Sequence, residues 1–131
     1  MPGYNVLLRN AQLDAITTFA GAGAKLRIYS GTQVATGAAL SANTLLSEDT
    51  LGSPFAPAAA AASLSPTLPA NVSGLAAGTA VWWRVVKADG TTHVIDGTCG
   101  TSAADMIMNT TTISTGVAVA ISAFTITRGN A

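Results

Sequence analysis

The chain has 131 residues, enough for one ordinary domain with a real core, and its six basic and six acidic side chains give zero formal charge. That balance excludes the basic surplus that a nucleic-acid phosphate backbone or an anionic lipid surface requires. Charged residues make up only 9% of the chain, against roughly 25% in typical soluble domains. Low charge favours self-association, so a subunit whose surface is covered by neighbours is the expected setting.

The opening "MPGYNVLLRN" lacks the basic segment and apolar run of a signal peptide, so a cytoplasmically made protein is expected. Residues 4–9, "YNVLLR", read as a short strand or an ordered arm, with 1–10 the arm of a single 1–131 domain. "NAQLDAITTFAGAG" is the one credible helix: Asn10 can cap it, Leu13, Ile16 and Ala20 share a stripe, and Gly21 or Gly23 can end it. "AKLRIYSG" alternates as a half-buried strand, Leu26 and Ile28 facing one way and Lys25, Arg27 and Tyr29 the other. A Gly/Ala/Ser/Thr loop fills 31–43, and "NTLLSED" is the next strand. Prolines 54, 57 and 66 bracket an alanine run, which argues for edge strand or loop over helix, with short strands around 56–64 and 66–72. "APAAAAAS" is too short to cross a membrane.

"AVWWRVVK", "ADGT" and "THVIDG" form a hairpin, Asp89-Gly90 supplying the tight turn. A second turn is expected at Asp96-Gly97. "ADMIMNTT" is a further strand, and "GVAVAISAFTITR" the longest. In that run the three-residue step from Ile121 to Phe124 breaks period two, which predicts a bulge near Ser122 or a change of buried face. Seven or eight short strands with Gly/Pro/Asn turns predict an all-β fold. The expected architecture is an antiparallel β-sandwich of jelly-roll or Greek-key type with one short N-terminal helix.

The potential chemistry concentrates in residues 79–101. Trp82 and Trp83 must face opposite sides of a strand: Trp82, Arg84 and Val86 make one face, and Val81, Trp83, Val85 and Lys87 the other. Apolar groups on both sides make this strand central, one face available to another subunit, with an indole as interface anchor or sugar-stacking platform. His93 and Cys99 are the chain's only His and Cys, so no intramolecular disulfide forms, no zinc ligand spacing exists, and no cofactor motif appears. A Cys–His nucleophile pair would need the chain to fold back at Gly97, and Cys99 otherwise reads as a small half-buried residue. Asp89, Asp96 and Asp105 could pair for hydrolysis, but each has a turn or strand-end role. The triplets Asn71-Val72-Ser73 and Asn109-Thr110-Thr111 are expected by chance in so Thr-rich a chain. No enzyme is expected.

Three pieces carry a resemblance: "LRIYSGTQ", the aromatic "WWRVVKADGTTHVIDG" hairpin, and "NTTTISTG" before the last strand. Across roughly 13–127 the chain resembles small head decoration (cement) proteins of tailed bacteriophages with a jelly-roll sandwich, from which it departs in carrying Val34 where related sequences often have proline. The resemblance implies a virion protein on the capsid surface that binds the major capsid protein and locks its subunits. A tail or neck component is the alternative, and a carbohydrate-binding module a more distant one. A homo-oligomer is expected, dimer before trimer, with interface residues Tyr4, Val6, Leu7, Leu8, Trp82 and Trp83, because so apolar an N-terminus does not suit a solvated tail.

Overall fold

A computed structural model describes residues 2–69 and 72–129. Asn71, of the first glycosylation triplet, lies outside them, as do residues 70 and 71 of the expected 66–72 strand. One helix, α1 (Val6–Ala20), opens the chain. The strands are β1 (Lys25–Tyr29), β2 (Leu45–Thr50), β3 (Ser63–Leu64), β4 (Gly78–Thr79) and β5 (Trp82–Val86), then β6 (His93–Gly100), β7 (Met106–Met108), β8 (Thr112–Ile113), β9 (Ile121–Phe124) and β10 (Ile126–Thr127). The fold is all-β and sandwich-like with a single N-terminal helix, as the strand pattern predicts.

Six strands form one curled sheet in the order β2-β1-β5-β6-β7-β9; β3–β10 and β4–β8 form two short ladders. From β2 the chain crosses through these outer pieces and returns to place β5 beside β1, a connection of Greek-key kind. One pair departs from the antiparallel expectation: β6 and β7 run parallel through Cys99–Met106 and Gly100–Ile107. The core lies on the sheet face of Leu26, Ile28, Trp83, Val85, Met106 and Phe124. It is closed by Leu13 and Ala20 of α1, Phe55, Leu64, Ile113 and Ile126.

The helix begins earlier than the sequence reading places it. Asn5, not Asn10, is the N-cap, its side chain accepting from the Leu7 backbone N–H at 2.8 Å. Residues 6–9 therefore form the first helical turn and not a strand or arm. Asn10 has a tertiary role instead: its Oδ1 accepts the Ala62 N–H at 2.8 Å, as Asp14 Oδ1 accepts Ala59 N–H at 2.7 Å. These two bonds tie the helix to the alanine run. That run is a loop with a tight Ala60–Ser63 turn, in which Ala61 and Ala62 take φ of 51° and 58°. No strand covers 65–69.

Ser122 is the predicted bulge. Ile107 pairs with Ala123 and Met108 with Ile121, so Ser122 is left over, and its hydroxyl donates to the Ile107 carbonyl at 3.1 Å. Beyond Thr125 the chain leaves the large sheet to pair with β3, so the break in period two also marks a change of sheet.

Candidate functional site

β5 runs between β1 and β6 at the centre of the large sheet, and both of its faces are buried, as the doubly apolar pattern requires. Trp83 enters the main core, its ring edge-on to Phe124 at 4.7 Å and its Nε1 donating to the Thr98 carbonyl at 3.1 Å. Opposite it stands Gly97, and a Cβ there would lie 2.3 Å from the indole. The expected turn at Asp96-Gly97 is therefore uninterrupted strand, and the glycine makes room for the tryptophan.

The other face carries Trp82, stacked on Tyr29 at 4.8 Å, and a charged row. Strand register places Glu48, Arg27, Arg84 and Asp96 side by side across four strands, acid–base–base–acid. Two like charges directly opposite would repel; here each arginine is drawn to the carboxylate on its outer side. Arg27 Nε reaches Glu48 Oε2 at 2.7 Å. Arg84 holds both oxygens of Asp96 through Nε at 2.7 Å and Nη2 at 3.0 Å. The loop over 31–43 closes this face: Arg84 Nη1 donates to the Ala38 carbonyl at 2.9 Å, and the Gly37 N–H donates to Asp96 Oδ2 at 3.1 Å. Arg84 also lies over the Trp82 ring at 5.1 Å.

Burial alone would raise the carboxyls of Asp96 and Glu48. The arginine hydrogen bonds and nearby positive charges outweigh it and hold both below their usual range. Arg84 is raised by its bonds to Asp96, against burial. His93 stands at the end of this row with Nε2 3.1 Å from Asp96 Oδ1, out of line for a hydrogen bond.

The structure keeps the other reactive groups apart. His93 and Cys99 lie six residues apart on the extended β6, on the order of 20 Å along the strand, and do not meet. Burial, with Asp105 nearby, pushes the Cys99 thiol up to about 12, so it carries no thiolate at neutral pH. Asp89 closes the hairpin by accepting the N–H groups of Thr91 and Thr92 and the Thr92 hydroxyl, which hold it down at about 2. Asp105 accepts from the Thr98 N–H at 2.9 Å and hydroxyl at 3.1 Å. Each aspartate thus serves a separate local structure. Among the described residues no group of three His, Cys, Asp or Glu side chains could hold a metal. No helix there is long and apolar enough to cross a membrane. A pocket of about 150 Å³ lies at the seam of β6 and β10, lined by Trp83, Ile95, Asp96, Asp105 and Thr125–Thr127, so two of the three candidate aspartates border it, each already bound to its own partners.

Two of the six expected interface residues have to be withdrawn. Trp82 and Trp83 are 0% and 1% exposed, Trp82 packed between Tyr29 and Arg84 and Trp83 in the main core, so neither can anchor a partner or stack on a sugar. The other four remain accessible to different degrees. Val6, Leu7 and Leu8 are 41%, 72% and 48% exposed on the first turn of α1, while Tyr4 is half-buried beneath the Arg128 guanidinium.

A wider regularity was not read from the sequence. All twelve charged side chains lie within the described residues, and each contacts a partner inside the chain. Beyond those above, Lys25 reaches Glu48, Lys87 lies over the Phe19 ring, Arg9 donates to the Arg128 carbonyl, and Arg128 donates to Gln12. Asp49 accepts from Ser47. No family model, curated protein or solved structure matches the chain.

Proposed function

We propose that the protein is a structural, non-enzymatic component of a tailed-phage virion that seats on the outside of the capsid and cements neighbouring major capsid protein subunits. The observation that supports this reading best is the internal engagement of every charged side chain. It leaves an exposed surface made largely of Ala, Ser, Thr and Gly, with apolar Leu75 and Val117 also standing clear of the core. A surface of this kind suits close contact with another protein and carries no field to steer nucleic acid or anionic lipid. The sequence resemblance points the same way.

Cementing needs no single tight site, because many copies on one shell act together. The contact so proposed is neutral and close-packed, so salt screening has little to remove. The test is co-sedimentation of purified protein with expanded heads built from the major capsid protein of the same genome. The protein is expected to pellet with the heads and to stay on them at high ionic strength. Failure to pellet, or release by salt, would overturn the reading.

A further inference from the structure

We propose that the outward face of α1 is the seat of a two-fold homodimer in which two copies of the helix pack antiparallel. The inference gives the homo-oligomer expected from the sequence its interface, and it stands independently of the capsid.

The helix is apolar on two sides. Its inner side puts Leu13 and Ala20 into the core. At 3.6 residues per turn, Leu7, Thr18, Ala11, Ala15, Leu8 and Phe19 occupy, in that order, one continuous arc of about 120° on the opposite side. All six are exposed, including Leu7 at 72%, Leu8 at 48% and Phe19 at 50%. A surface helix buries one such stripe and presents charge on the other side. This helix presents a second stripe without a charge in it. The one polar side chain, Thr18, turns its hydroxyl back onto the Asp14 carbonyl at 3.3 Å. Arg9 and Asp14, the only charges of the helix, lie off the arc and are bound to Arg128 and Ala59 of the same chain.

The order of large and small residues selects the occupant. Alanines 11 and 15 sit at the middle of the arc, with Leu7 and Leu8 at one end and Thr18 and Phe19 at the other. A two-fold axis across the middle, between Ala11 and Ala15, runs the second helix antiparallel. It sets Leu8 against the partner's Phe19, Leu7 against the partner's Thr18, and the alanines against each other. Small central residues let two helices approach to about 8 Å, the lower end of helix packing distances. Antiparallel macrodipoles oppose each other favourably, and the arc itself carries no charge. The six side chains of the arc expose on the order of 450 Å² per copy. The pair would bury about 900 Å², near the lower limit for a specific interface. A second copy satisfies this surface without any further partner.

Sedimentation velocity on the purified chain across the micromolar range tests the proposal. The wild type is expected to sediment as a dimer. Ala15→Glu places a carboxylate on the buried axis and should weaken dimerisation at least ~10-fold, with an unchanged circular dichroism spectrum. Leu8→Glu reads the same contact from its rim should Ala15→Glu fail to fold. Mild oxidation of Ala15→Cys should give a covalent dimer, and oxidation of Ser41→Cys, exposed but off the helix, should not. A monomeric wild type, a trimer, or a dimer that persists in both glutamate variants would overturn the proposal. Head binding is scored separately. A monomeric variant that still pellets with heads leaves the capsid reading intact, whereas a helix-paired dimer that never binds heads removes that reading and leaves this one.

Discussion

Gly97→Ala tests how the sheet is packed around its central strand. The added methyl carbon would lie 2.3 Å from Cζ2, 2.5 Å from Cε2 and 2.8 Å from Nε1 of Trp83. Carbon pairs are comfortable at roughly 3.5–4.0 Å, so more than an ångström of relief is needed. The indole has nowhere to go, being 1% exposed, held edge-on to Phe124 and bonded through Nε1 to Thr98. Overpacking of this kind costs about 1–3 kcal/mol, and loss of the indole hydrogen bond adds about 1. The restricted unfolded chain returns about half a kcal/mol. A net loss of about 3 kcal/mol corresponds to a fall of roughly 10 °C in Tm for a domain of this size. Thermal denaturation followed by circular dichroism and tryptophan fluorescence measures it, with Gly52→Ala as control because nothing lies within 4 Å of a Cβ there. In the Gly97→Ala background, Trp83→Leu should cost much less than it does alone, since the clash leaves with the ring. A midpoint within about a degree of wild type would refute the packing described for β5 and β6.

The remaining predictions concern charge and the alanine turn. Arg84→Ala strands Asp96, whose side chain is 2% exposed, and should cost about 3–5 kcal/mol at neutral pH by chemical denaturation. Because the ion pair lowers the folded-state pKa of Asp96, its stabilisation is complete above the usual carboxylate range and lost as the pH falls through the folded value. The penalty of the variant should therefore shrink in acid. Asp49 behaves in the opposite sense: burial raises its carboxyl, with Glu48 adding and Ser47 opposing. The neutral form is the favoured one, so its stabilisation is present in acid and lost as the pH rises. Asp49→Asn should raise the Tm at neutral pH and leave it unchanged near about pH 3. Ala61→Asn combined with Ala62→Gly should stabilise by about 1 kcal/mol in a thermal melt, because both alanines hold a left-handed conformation that Asn-Gly adopts readily.

Where a residue's role follows from its immediate neighbours, the sequence was readable. The alternation of Leu26 and Ile28 against Arg27, the opposed faces of Trp82 and Trp83, the Asp89-Gly90 turn and the bulge at Ser122 are all local, and all are present. Roles set by distant partners were not legible. Gly97 follows an aspartate as turn glycines do, but Trp83, fourteen residues earlier, makes it strand. Asn10 has the chemistry of a cap, and its amide is used instead by Ala62. The charged row depends on the register of four strands, which no single window contains. The outer stripe of α1 does carry a sequence signal, the spacing Leu7-Ala11-Ala15-Phe19. A helix capped at Asn10 leaves Leu7 and Leu8 out of that pattern; capped at Asn5, it includes them.

Imaging of heads purified with and without this protein tests the central claim most directly. Reconstruction of particles that carry it should show added density on the outer capsid surface, bridging adjacent major capsid protein subunits. Particles lacking it should have the same shell without that density and should rupture at lower temperature. Identical shells in both preparations, or density confined to the tail or neck, would contradict the account.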